Sequence, residues 1–251
     1  MENHATRGSR RWMRAQRLVF LTWVAMLAYG VPEVIAGTGQ LWLFTPGVWF
    51  MAMPLYFLHF LILAQVAMAT GRTTWPALYL FGVLFGLYET WITKVVWSGY
   101  DTGGAFAFGA ISPWFGLHES LGLVLFYHPV VSFLLPLAVL TRLYPAWGRA
   151  FPAPNWVFGT TWQARARRWV MLLGLGAITA HNMPEITAYL ATWLPFLAVL
   201  LLLHGLLTRL DAAQNTALSD PHIDRIGVAL MLVGLCALYG LAFFNIRPDD
   251  T

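Results

Sequence analysis

Long apolar stretches broken by short polar punctuation set the rhythm of this chain. They run at roughly Leu18–Ala36, Gly47–Thr70, Trp75–Trp97, Ile111–Leu140, Trp169–Leu190, Trp193–Leu207 and Ile226–Phe244. An apolar run of about 18 residues or more is long enough to cross a bilayer as a helix. A membrane β-barrel would show shorter, alternating segments instead. The pattern therefore predicts an all-α polytopic membrane helical bundle of about seven transmembrane helices. Pro46 opens the second span, and Pro129 and Pro136 predict a kink or break in the long fourth one. The domain reading is a basic N-terminal segment, 1–17, a single transmembrane domain, 18–245, and a tail, 246–251.

Composition supports this and removes other classes. Of the 251 residues, 59% are hydrophobic and 10% charged, against about 25% charged in ordinary soluble domains. The net charge of +4 does not mark a nucleic-acid binder, because the arginines are interleaved with the spans. They are topology signals instead. Residues 1–17, Arg72, the loop 141–168 and the linker 208–225 hold 13 arginines, leaving Arg247 and the single lysine, Lys94, for the other side. By the positive-inside rule the N-terminus is cytoplasmic and the C-terminus extracytoplasmic. The first apolar run is long for a signal peptide and lacks a small-residue cleavage site, so it reads as an uncleaved helix. The expected location is the cytoplasmic membrane of a bacterium or archaeon. Cys236, the sole cysteine, allows no internal disulfide.

A weak internal similarity hints at a 3+1+3 repeat. Val31-Pro32-Glu33-Val34 resembles Met183-Pro184-Glu185-Ile186, and each is followed by a span with a tryptophan, a proline and a later histidine. Parallel repeats of this kind occur in transporters.

The candidate chemistry lies at one expected depth. With a rise of about 1.5 Å per residue, Glu33 sits ~22 Å, Glu89 ~21 Å, His181 ~18 Å and Glu185 ~24 Å above the inner boundary. In a core about 30 Å thick, His118 and Glu119 enter from the other side to ~18–20 Å. Four carboxylates in such a layer cannot all stay ionised and unpaired. Four Glu and two His also match the inventory of a carboxylate-bridged metal bundle. Glu33, Glu89, His118, Glu119, His181 and Glu185 are therefore candidate ligands for a divalent first-row metal, iron or zinc. Glu89 is the candidate base, with Lys94 and Asn182 to stabilise developing negative charge.

Plainer readings stand beside these. Glu33 and Glu185 flank prolines and can be solvated near a vestibule. Lys94 can snorkel. His59, His128 and His204 fit interhelical hydrogen bonds, and the 13 tryptophans an interfacial belt. Three function classes follow. The leading one is a metal-dependent membrane enzyme acting on a lipid or other apolar small molecule. The second is a proton- or cation-coupled transporter using the same glutamates. The third is a non-catalytic subunit whose charges meet partner subunits. A retinal-binding rhodopsin is excluded, since the last span has no lysine for a Schiff base.

Overall fold

The computed structural model describes residues 3–39, 42–90, 92, 110–112, 115–116, 118–152, 158–183, 185–210 and 220–245. Eight helices account for most of them, with one short antiparallel ladder between β1 (Ala110–Ser112) and β2 (Phe115–Gly116). Among the described residues, five helical stretches are long and apolar enough to cross a membrane: Met13–Ile35, Val48–Ala69, Ser120–Leu143, Ile186–Arg209 and Arg225–Phe244. The chain divides into two units, Met1–Thr45 with Ala138–His222, and Pro46–Leu137 with Ile223–Thr251.

Unit one is built on α1 (Asn3–Tyr29), which continues as a π-helical segment, Gly30–Ile35. The basic N-terminal segment is thus continuous with the first span. A proline lacks the N–H of the α ladder and its ring crowds the carbonyl four residues back. Pro32 falls inside the widened turns, where that crowding is relieved. The unit also holds α5 (Pro145–Ala150), α6 (Trp162–Asn182) and α7 (Ile186–Arg209). Gly30 leaves room for the Phe196 ring, which a Cβ would overlap. The Trp23 and Trp42 indoles donate to the carbonyls of Leu200 and Thr192 at 3.1 and 3.2 Å. Two large amphipathic rings are thereby buried with their N–H groups satisfied across helices.

Unit two contains α2, π-helical over Val48–Ala52 and α-helical over Met53–Ala69, then α3 (Trp75–Gly86) and α8 (Arg225–Asn245). It also holds most of α4, which is π-helical over His118–Leu134 and α-helical over Leu135–Leu143. The closest packing is between α3 and α4. Gly82 and Gly86, four residues apart on one face, admit the α4 backbone directly. A Cβ on Gly82 would collide with Pro129, and one on Gly86 would lie 2.8 Å from the Val124 Cα. This small-xxx-small arrangement lets membrane helices approach until backbone meets backbone. The Tyr79 hydroxyl donates to the Leu125 carbonyl at 2.6 Å across the same contact.

Several expected boundaries shift. The fourth span was expected from Ile111, but Ala110–Ser112 pair with Phe115–Gly116 and the helix begins at His118. The expected kink near Pro129 takes the form of a long π-helical stretch. The fifth span was expected to reach Leu190 and the sixth to start at Trp193. Instead α6 ends at Asn182 and α7 starts at Ile186. Met183 adopts φ −131°, ψ 82°, as suits a residue preceding proline, which is driven out of the helical region. The expected third span is helical through Trp75–Gly86, with π-type turns to Thr90, and its far end lies outside the described residues.

Candidate functional site

The strongest polar constellation sits at the α3–α4 contact of unit two. The glycine face of α3 brings its backbone against α4, and three residues past Gly86 comes Glu89. Its carboxylate lies 2.8 Å from the His128 Nε2, with side-chain exposures of 14% for Glu89 and 3% for His128. The Thr90 hydroxyl donates to the same carboxylate oxygen at 2.9 Å and lies 2.8 Å from the His128 Nε2. The Thr90 hydrogen is committed to Glu89, so its oxygen can only accept from the imidazole. Nε2 must therefore carry a proton. The other nitrogen, Nδ1, lies 3.0 Å from the Ser132 hydroxyl. A hydroxyl both donates and accepts, so Ser132 satisfies Nδ1 with or without a proton.

A second histidine shares a stacking partner with the first. Phe85 stacks on His59 at 4.8 Å and on His128 at 5.4 Å. His59 Nδ1 is 3.0 Å from the Leu55 carbonyl and Nε2 is 3.0 Å from the Tyr239 hydroxyl of α8. A carbonyl only accepts, which fixes the proton on Nδ1 and makes Nε2 the acceptor from Tyr239. Tyr88, next to Glu89, lines an apolar cleft of about 320 Å³ with Leu84, Leu87 and Ile92. Its ring centre is 6.3 Å from that of His59.

In unit one the predicted residues have other surroundings. The Thr38 hydroxyl lies 2.7 Å from a Glu33 carboxylate oxygen, five residues back. Asn182 donates its amide to the Ala36 carbonyl at 2.8 Å, and Thr179 donates to Ile35 at 2.7 Å, tying the end of α6 to the end of α1. His181 is exposed near the end of α6, whereas Glu185 is the exposed residue preceding α7. His181 and Glu185, expected on one continuous span, are thus parted by the break between α6 and α7. An apolar cleft of about 510 Å³, with Ile35, Thr179, Met183, Tyr189 and Trp193 among its walls, lies beside this junction.

Lys94 lies outside the described residues, as do the side chains of His118 and Glu119, whose backbones open α4. Among the described residues no three His, Cys, Asp or Glu side chains gather closely enough to hold a metal ion. His59, His128 and His204 all meet partners distant in sequence, the last through the hydroxyl of Tyr144, the residue between α4 and α5, at 3.5 Å. Sequence reasoning did not identify His128 as the partner of Glu89. The available signals were a histidine and a serine four residues apart on one apolar helix, and a Gly-xxx-Gly face one turn before the glutamate.

A model of a family described as an uncharacterized membrane protein family matches residues 19–251. A protein of Archaeoglobus fulgidus, described as uncharacterized, is 36% identical over 121 residues. That match covers 48% of this chain and 37% of the relative, so the chain spans well under half the length of the protein it resembles. No solved structure matches the chain.

Proposed function

The chain belongs to that membrane protein family, and we propose that it is a membrane-embedded enzyme performing acid–base chemistry on a lipid or other apolar small molecule. The observation that supports this reading is the Glu89–His128 pair, buried in an apolar bundle yet hydrogen-bonded on both imidazole nitrogens. Intramembrane ionisable residues are costly and rarely retained without a task. Glu89 is the more exposed of the two and meets the substrate as general base. His128 behind it holds the carboxylate through its Nε2–H while Ser132 fixes the other imidazole nitrogen, and the proton taken from the substrate rests on the Glu89 carboxyl until it is returned to the product. Thr90 fixes the carboxylate rotamer. The apolar cleft at Tyr88 is the lateral approach from lipid.

The metal-dependent form of this reading adds a divalent first-row ion, with His118 and Glu119 joining Glu89 as ligands and Lys94 stabilising developing negative charge. Glu89 and His128 alone supply one oxygen and one nitrogen donor group, fewer than the three protein ligands usual for a catalytic zinc. Proton abstraction by the Glu89 carboxylate itself needs no metal. Metal analysis of metal-replete protein against His118→Ala separates the two forms: stoichiometric metal lost in the variant favours the ion.

A carrier is the second reading, supported by the interruption between α6 and α7 beside a glutamate. Discontinuous helices near intramembrane acids are the usual construction of ion-coupled sites.

The test uses proteoliposomes incubated with a total membrane lipid extract, with products followed by mass spectrometry. Wild-type protein converts a lipid species, and Glu89→Gln slows that conversion by about 10²- to 10⁴-fold, the usual worth of a positioned acid or base. Equal conversion by both proteins sinks the enzyme reading. Glu89-dependent proton flux without conversion selects the carrier.

A further inference from the structure

Three arginines of unit one close on a single loop. Arg142, near the end of α4, donates to the Phe158 carbonyl at 2.6 Å, and its guanidinium lies 5.0 Å from the centre of the Phe158 ring. Arg168 donates to the Gly159 carbonyl at 3.0 Å. Arg165 donates to the Thr160 carbonyl through two nitrogens, at 3.3 and 3.2 Å. Successive Cα atoms are only about 3.8 Å apart, so guanidiniums from two helices crowd one turn. The carbonyls orient these groups without neutralising them, and the stretch 141–168 contains no Asp or Glu. Each guanidinium has five N–H donors in a planar fork suited to phosphate. The carbonyl bonds of Arg142 and Arg165 use only one or two of the five in each.

The same helix carries an aromatic stripe. Trp162 and Trp169, seven residues apart, are 72% and 65% exposed, and Arg165 stands between them at helical spacing. Below them Val170, Leu172 and Leu173 are exposed as well. Indoles beside cations at the end of an apolar helix are the pattern of a headgroup boundary.

We propose that the 158–160 turn binds the phosphate of an anionic lipid headgroup, with the acyl chains lying along the Trp162–Trp169 face of α6. The guanidiniums alone would also accept inorganic phosphate. The exposed aromatic and aliphatic stripe continuing from them selects a lipid, since a free ion has no use for it. The site is separate from Glu89 and His128 and does not depend on the enzymatic reading.

The experiment is native mass spectrometry of the full chain in detergent, titrated with dioleoyl phosphatidylglycerol or dioleoyl phosphatidylcholine, with a parallel thermal-shift titration using inorganic phosphate. Phosphatidylglycerol is retained and phosphatidylcholine is not. Arg165→Gln weakens retention about fivefold, the worth of one basic residue near an anionic surface. Gln163→Glu leaves the arginine–carbonyl bonds in place, tolerates the first turn of a helix, and weakens retention through charge alone. Arg149→Gln, an exposed arginine outside the turn, leaves it unchanged. Equal retention of the two lipids overturns the proposal. So does no loss in both Arg165→Gln and Gln163→Glu, a loss in Arg149→Gln as large as that in Arg165→Gln, or stabilisation by inorganic phosphate equal to that by phosphatidylglycerol.

Discussion

Glu33 and Glu89 are expected at almost the same height in the bilayer, yet they are satisfied in opposite ways. Glu33 sits in the π-helical end of α1 and meets Thr38, five residues on, where the chain turns at Gly37 with φ +86°. Its partner belongs to the same local fold of the chain. Glu89 meets His128 on another helix, at a contact where glycines let two backbones touch. The first carboxylate is served by a hydroxyl five residues on. The second is coupled to the docking of two helices. Depth alone does not distinguish a carboxylate held by its own segment from one held across helices; the sequence distance to its partner does.

The comparison breaks most visibly in turnover. Glu33→Gln should leave lipid conversion near wild type where Glu89→Gln loses about 10²- to 10⁴-fold. Comparable losses in both would put the two acids in one centre. Next in size is packing. In Gly86→Val the new Cβ meets the Val124 backbone at 2.8 to 3.0 Å, and backbone cannot swing aside. Overpacking of this kind costs about 1–3 kcal/mol and should appear as a lowered unfolding midpoint in detergent. Gly174→Ala, where a Cβ meets nothing within 4 Å, serves as its neutral or stabilising counterpart. A double-mutant cycle then measures the pair itself. Glu89→Gln with His128→Gln should show a coupling of about 0.5–3 kcal/mol, the range for groups in one network. Smallest is the turn that serves Glu33. Gly37→Ala forces a side chain into a left-handed conformation and toward the Asn182 Cβ at 3.2 Å, and should cost about 1 kcal/mol of stability.

Sequence periodicity located most of the membrane helices because burial in lipid demands long apolar runs whatever their packing. It failed where proline decides the local path. Met183-Pro184 ends α6 in the middle of what reads as one hydrophobic span, and the π-helical turns of α4 absorb Pro129 without a sharp break. Of the two Pro-Glu segments, Pro32-Glu33 lies in a widened helix, and Glu185 of the other directly precedes α7. Glu89 was legible as an anomaly because a charge in an apolar run is conspicuous. Its partner was not, because His128 differs little in pattern from His59 and His204, and only the depth to which Gly82 and Gly86 admit α4 decides which imidazole a carboxylate on α3 can reach. Histidine roles as interhelical donors and acceptors were readable from type and setting; their pairing was not.

The fixed orientation of His59 gives this molecule an internal standard. Its Nδ1 proton is locked on a main-chain oxygen, while the Nδ1 of His128 faces the Ser132 hydroxyl, which can donate or accept. In nitrogen-15 spectra of imidazole-labelled protein, the His59 ring should show two sharply distinct resonances, one protonated nitrogen and one bare, as a single fixed tautomer requires. Both imidazoles stack on the Phe85 ring, so labels on either report from the same few ångströms of the interior.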